Sequence, residues 1–183
     1  MKLLANAHKK AEALDEVLSS RINTTKIETA KKLFYRLQSY LVEQCRNHAA
    51  SNNIYSKIKF YAADSKGVAL ILLGPSIDKG PSEEHINLDS GSRLSFLVAV
   101  KEGPSGSELV TFRFHLQFSN GHSPAYLRFD LNSSGHTVPL GEPRCHFHPG
   151  LEDVRIPLPI LHPVEILDRI FFVIEPTLGK RNP

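Results

Sequence analysis

Between Thr111 and Phe118 the chain alternates strictly between two kinds of side chain. Phe112, Phe114, Leu116 and Phe118 are apolar, and Thr111, Arg113, His115 and Gln117 are polar. Successive side chains of a β-strand point to opposite faces, so the pattern predicts a strand with one aromatic face and one charged face. Such a strand needs a sheet with one covered side and one polar side. The segment from Tyr126 to Leu131 repeats the pattern. Leu127, Phe129 and Leu131 match the apolar face, and Tyr126, Arg128 and Asp130 match the polar one. Asn120-Gly121, between the two segments, is a turn signal in a connection longer than a two-residue hairpin.

Further strands are predicted on both sides of this pair. Leu94 to Val100 is one, closed by Gly103-Pro104-Ser105-Gly106. Ile58 to Ala62 alternates, and residues 143–148 supply another strand after the turn at Ser133-Ser134-Gly135. Val68 to Leu73 is a continuous apolar run, either a well-covered strand or a buried helical turn, stopped by Gly74-Pro75. Asp78 to Gly91 is polar, contains Gly80-Pro81 and reads as a surface loop.

Both ends read as helical. Leu3, Leu4, Ala7, Ala11, Leu14, Val17 and Leu18 recur at helical spacings, and Ser19 to Asn23 breaks the pattern. Thr25 with Glu28 has capping-box spacing and predicts a second helix from Lys26 to about Ala50. Its stripe is Ile27, Ala30, Leu33, Phe34, Leu37, Leu41 and Cys45. The two helices suggest a hairpin or one bent helix. Pro163 opens a last helix with Val164, Leu167, Ile170, Phe171 and Ile174 on its apolar face, ended by Pro176. The expected fold is a single α+β domain over residues 1–183. It has a helical hairpin over 1–50, an antiparallel sheet of about five strands over 54–157, and a C-terminal helix over 163–175.

Composition narrows the function classes. At 41% apolar and 22% charged, the chain is ordinary for a globular protein. A net charge of +3 does not by itself argue for nucleic acid. The basic residues Lys26, Lys31, Lys32 and Arg36 read as a solvated helix face, and Lys180 and Arg181 as a frayed end. Two cysteines, Cys45 and Cys145, are too few for a disulfide framework and favour a reducing compartment. No apolar run approaches a membrane span, and Met1 to Lys10 lacks an apolar leader core. The expected location is the cytoplasm, with no membrane partner.

The polar face carries the chemistry. If the two clearest strands pair, Arg113, His115, Tyr126, Arg128 and Asp130 share one surface. His146 and His148 lie two apart and would add two imidazoles from a third strand, with Arg155 at its edge. Imidazoles titrate near neutrality, Arg stabilises anions, and a carboxylate orients a His or ligates a metal. His115, Arg128, Asp130, His146 and His148 are therefore the candidate catalytic residues, with His as acid and base and Arg on a phosphate. His146 and His148 are the candidate ligands of a divalent metal, joined by His115 or Asp130. The competing reading is a solvated sheet face with cross-strand salt bridges.

Cys145 is a poor nucleophile candidate, because its neighbour His146 faces the other way on a strand. His146-Phe147-His148 with Glu152 resembles the first half of a cupin metal motif. Gly141 is one residue too close for that motif, the Gly expected after the Glu is missing, and only His162 follows. Arg128-Phe129-Asp130, then His136, His146-x-His148 and Arg155-Ile156-Pro157 before a helix, resembles the signature of small bacterial TumE-type toxin proteins. The resemblance covers residues 126–175. It implies a toxin–antitoxin setting and an RNA-directed or toxin-like activity, carried by Arg128, Asp130, His146 and His148. Two functions are expected. The first is a binding or accessory module that uses the His/Arg/Asp face toward a second copy or another protein. The second is a toxin-like or nuclease-like hydrolase with His acid/base residues, with or without a divalent metal, for which nucleic acid is the candidate partner.

Overall fold

The computed structural model describes residues 25–47, 54–74, 85–119, 122–133 and 143–175. In chain order these form β1 (Lys26–Ile27), helix α1 (Ala30–Asn47), a helical turn α2 (Ile54–Lys57), β2 (Ile58–Tyr61), β3 (Val68–Leu73) and β4 (Ile86–Asn87). Then come β5 (Arg93–Gly103), β6 (Gly106–Gln117), β7 (Tyr126–Leu131), β8 (Cys145–His148), β9 (Ile156–Pro157) and α3 (Pro163–Asp168), which runs into a π-helical turn at Arg169–Ile174. The fold is α+β, with a large antiparallel sheet and a C-terminal helix.

The sheet has nine strands among the described residues, and its spine is a meander in the order β2-β3-β5-β6-β7-β8-β9. Every pairing is antiparallel. β4 joins β5, and β1 joins the end of β6 that β7 does not reach, with Lys26 opposite Glu108. The expectation of about five strands falls short because β1, β4 and β9 span two residues each. Segments that short carry no periodicity.

Alternation sorts the two faces as expected. One inner rung runs Phe60, Ile71, Val98, Phe112, Leu131 and Cys145. The next runs Leu73, Phe96, Phe114, Phe129 and Phe147. Ring centroids lie 5.0 Å apart for Phe96–Phe114 and 4.9 Å for Phe129–Phe147, a favourable aromatic spacing. α1 covers this face with Ala30, Leu33, Leu37, Leu41 and Cys45, and its Phe34 ring sits 5.5 Å from Phe60.

The N-terminal half departs from expectation. The structure describes one N-terminal helix, not a hairpin; the segment expected as its first arm lies outside the described residues. α1 starts at Ala30 rather than Lys26, and the Thr25–Glu28 capping box does not form. The Thr25 carbonyl instead accepts from Leu109 N–H at 2.7 Å, because Lys26 and Ile27 complete the sheet. Glu28 turns to Arg36 at 3.3 Å and His162 at 3.1 Å. The helix is capped by Thr29 Oγ1, which accepts from Lys32 N–H, and by Glu102 Oε1, which accepts from Ala30 N–H at 3.0 Å. Residues 54–57 are helical rather than part of the sheet. The end of the expected Asp78–Gly91 loop is structured, with Ile86 and Leu88 buried.

At the other end, Pro163 is the first helical residue as expected. His162 caps it: Nδ1 accepts from Val164 N–H, and Glu165 reaches back to His162 N–H. The helix then widens into a π turn instead of continuing to Glu175 as α. Ile166, Leu167, Ile170 and Phe171 are buried against the core, whereas Phe172 and Val173 are exposed. Among the described residues no helix is long and apolar enough to cross a membrane.

Candidate functional site

The outer face of β6, β7 and β8 carries two polar rungs. Arg113, Asp130 and His146 are direct partners in one, and His115, Arg128 and His148 in the other. The structure therefore places His115, Arg128, Asp130, His146 and His148 on one face, with Arg113 beside them. Tyr126 lies one rung further along, its ring edge-on to His115 at 5.3 Å.

Asp130 is the centre of this face and is buried. Arg128 Nε donates to its Oδ2 at 2.7 Å, and Arg113 Nε to its Oδ1 at 3.3 Å. Arg128 spends its other nitrogens nearby: Nη1 on Glu152 Oε1 at 2.7 Å and Nη2 on His148 Nε2 at 3.0 Å. Tyr126 donates to the same Glu152 oxygen at 2.8 Å. Hydrogen bonds from Arg128 and Tyr126 hold the Glu152 carboxyl below its usual range. Burial, and then the positive charge of Arg128 and Arg113, lowers the pKa of His115, so its ring is neutral near pH 7.

The two buried imidazoles are oriented by main-chain carbonyls. His146 Nδ1 lies 3.0 Å from Pro143 O, and His148 Nδ1 lies 3.3 Å from Leu151 O. A carbonyl can only accept, so both Nδ1 atoms carry the hydrogen; His148 Nε2 accepts from Arg128 Nη2, and a neutral His146 ring presents its Nε2 lone pair. Burial favours the neutral form of His146. The Nε2 atoms face Asp130 Oδ2, at 3.9 Å from His146 and 3.5 Å from His148. Asp130, His146 and His148 can each offer one ligand atom, and these atoms lie within 4.8 Å of one another.

No protein-family model, curated protein or solved structure matches the chain.

Two features of the site have little signature in the sequence. The sequence suggests Glu152 only as a cupin-like ligand. It lies instead on the outer side of Arg128, and Asp130 stands with the two imidazoles. The Pro143 and Leu151 carbonyls that fix the rings carry no side-chain signal at all. Leu151 is brought over His148 by the turn at Gly150, which has φ 86° and sits against Pro124. A Pro-Gly pair at 149–150 was the visible hint. Cys145 lies on the opposite, apolar face; burial pushes its thiol up to about 12, and it donates to Pro159 O at 3.4 Å. It is a packing residue. Arg155 is exposed next to β9. His136 lies outside the described residues.

Proposed function

We propose that this chain is a binding module that presents its His/Arg/Asp face, and the loop folded over it, to a protein partner. A second copy of the chain is included among such partners. The observation that carries this reading is the exposure of Leu151 (61%), Val154 (39%) and Ile156 (45%) along the β8–β9 connection. That connection is pinned to the sheet by Glu152 and the Leu151 carbonyl. Apolar side chains held out on a fixed, charge-rimmed segment are the composition of an interface core. Arg128, Asp130, His148 and Glu152 satisfy one another, which suits a rigid recognition surface. Cys45 and Cys145 are buried thiols, which supports a cytoplasmic setting.

Light scattering over a concentration series tests self-association, and cross-linked capture tests a second protein. The double variant Leu151→Glu/Val154→Glu should lose the association while melting like the wild type. A wild type that stays monomeric and retains no more protein than the variant overturns the reading.

A second reading is favoured by His115. It is a half-buried neutral imidazole beside Arg113, whose side chain is 63% exposed. A neutral base next to an exposed guanidinium is the equipment of a phosphoester hydrolase. The TumE-type resemblance, which rests on Arg128, Asp130, His146 and His148, separately implies an RNA-directed activity. In that case His115→Gln and His148→Gln abolish RNA cleavage, or toxicity on expression, without changing the melting temperature. Equal effects from variants and wild type remove this reading.

A further inference from the structure

We propose that Asp130, His146 and His148 form a centre for a divalent transition-metal ion, and that the Arg128 guanidinium is the cation that holds the same place when no metal is bound. The inference does not depend on the partner reading: its three ligands are the buried part of the His/Arg/Asp face, and the partner surface rests on the exposed Leu151, Val154 and Ile156.

The first support is an unsatisfied atom. His146 Nε2 is buried with a lone pair pointing inward, and 3.9 Å to Asp130 Oδ2 is too long for a hydrogen bond. Two acceptors facing each other out of water repel unless a cation sits between them. Among the described residues no donor reaches this nitrogen. His148 Nε2 is satisfied, but only by a cation, the Arg128 guanidinium at 3.0 Å.

The second support is the build of the ligand set. All three ligands stand on paired strands rather than on loops, with Asp130 directly opposite His146. Each imidazole gives its Nδ1–H to a carbonyl, the outer support that aims Nε2 at a metal. Three atoms within 4.8 Å of one another share a centre within about 2.8 Å of each. A shift of under about 1 Å per ligand brings them to the usual metal distances of about 2.0–2.2 Å. Two imidazoles and a carboxylate select zinc, iron, cobalt or nickel over calcium and magnesium. Three protein ligands leave a further position for water or a ligand.

The third support is Arg128 itself. Its Nε and Nη2 occupy Asp130 Oδ2 and His148 Nε2, two atoms that a metal ion would use. Guanidinium and metal therefore exclude each other. The exposed Glu152, already paired with Nη1 at 2.7 Å, keeps hold of the guanidinium when it swings out.

The test uses the full chain without an affinity tag, dialysed against zinc and then against metal-free buffer, with bound metal counted by mass spectrometry. One zinc per chain is expected, with a rise in melting temperature. Cobalt should give a visible spectrum of nitrogen and oxygen ligation. His146→Gln should weaken zinc at least about 10-fold. Arg128→Met removes the competing cation and should bind zinc more tightly than the wild type, with a larger rise in melting temperature, a direction that misfolding cannot produce. The proposal is overturned if folded wild type and Arg128→Met both fail to retain zinc. It is equally overturned if His146→Gln and wild type retain zinc alike.

Discussion

Glu175 shows how one residue can make stability depend on pH. It is buried at the end of the π turn and accepts from Ser90 Oγ at 2.9 Å. Burial raises its pKa above the ordinary 4.5. The folded chain therefore holds this proton more firmly than the unfolded chain. Stability falls as pH rises from the ordinary value through the raised one, and the full penalty is present above it. Glu175→Gln keeps an acceptor for Ser90 and removes the charge. It should melt above the wild type at pH 7 and converge with it near pH 4, at about the intrinsic carboxylate range. A difference that does not change with pH in paired melting curves would contradict this account. At this scale the site was largely legible. The period-two spacing of Arg113, His115, Arg128, Asp130, His146 and His148 fixes their common face before any coordinates. It does not fix what they touch: the bond from Arg128 to His148, and the carbonyls on His146 and His148, are matters of rotamer and main-chain path.

Elements were legible in proportion to their length. β6 and β7 declare themselves, and so does the stripe of α1 from Ala30 to Cys45. β1, β4 and β9 exist only because a partner strand is there, so nothing local announces them. The misplaced start of α1 has the same cause: Thr25 and Glu28 satisfy a local capping rule, but Leu109 and His162, distant in sequence, take their groups. The loop after β8 is the element whose geometry matters most to the site. Gly150 has a positive φ, and a Cβ there would stand 2.2 Å from Pro124 Cβ. Gly150→Ala should cost about 1–3 kcal/mol through strain and displaced packing. It should also free the ring of His148 from the Leu151 carbonyl. Urea denaturation measures the first effect and imidazole NMR the second. A variant as stable as the wild type, with unchanged His148 resonances, would show that the turn does not hold the loop.

For the whole molecule, the two-faced sheet is the organising fact. One side buries Phe96, Phe112 and Phe114 in a core shared with residues of α1 and α3, and the other carries its charges in a self-contained network. Phe114 is fully buried, 5.0 Å from Phe96 and 5.8 Å from Phe112. Phe114→Ala should therefore cost about 3–5 kcal/mol in chemical denaturation, with α1 and the sheet unfolding together. A loss below about 1 kcal/mol would mean that the aromatic rung is not the core.

The sheet ends differently on its two sides, and this limits how the chain can aggregate. On the β9 side the edge is a two-residue strand ending in Pro157, which has no N–H to offer an incoming strand. On the β2 side, Ile58–Tyr61 is longer and contains no proline. Of the two ends of the sheet's spine, β2 is therefore the one better suited to strand-on-strand growth, and a charge or a proline engineered into β2 is where such growth would be blocked.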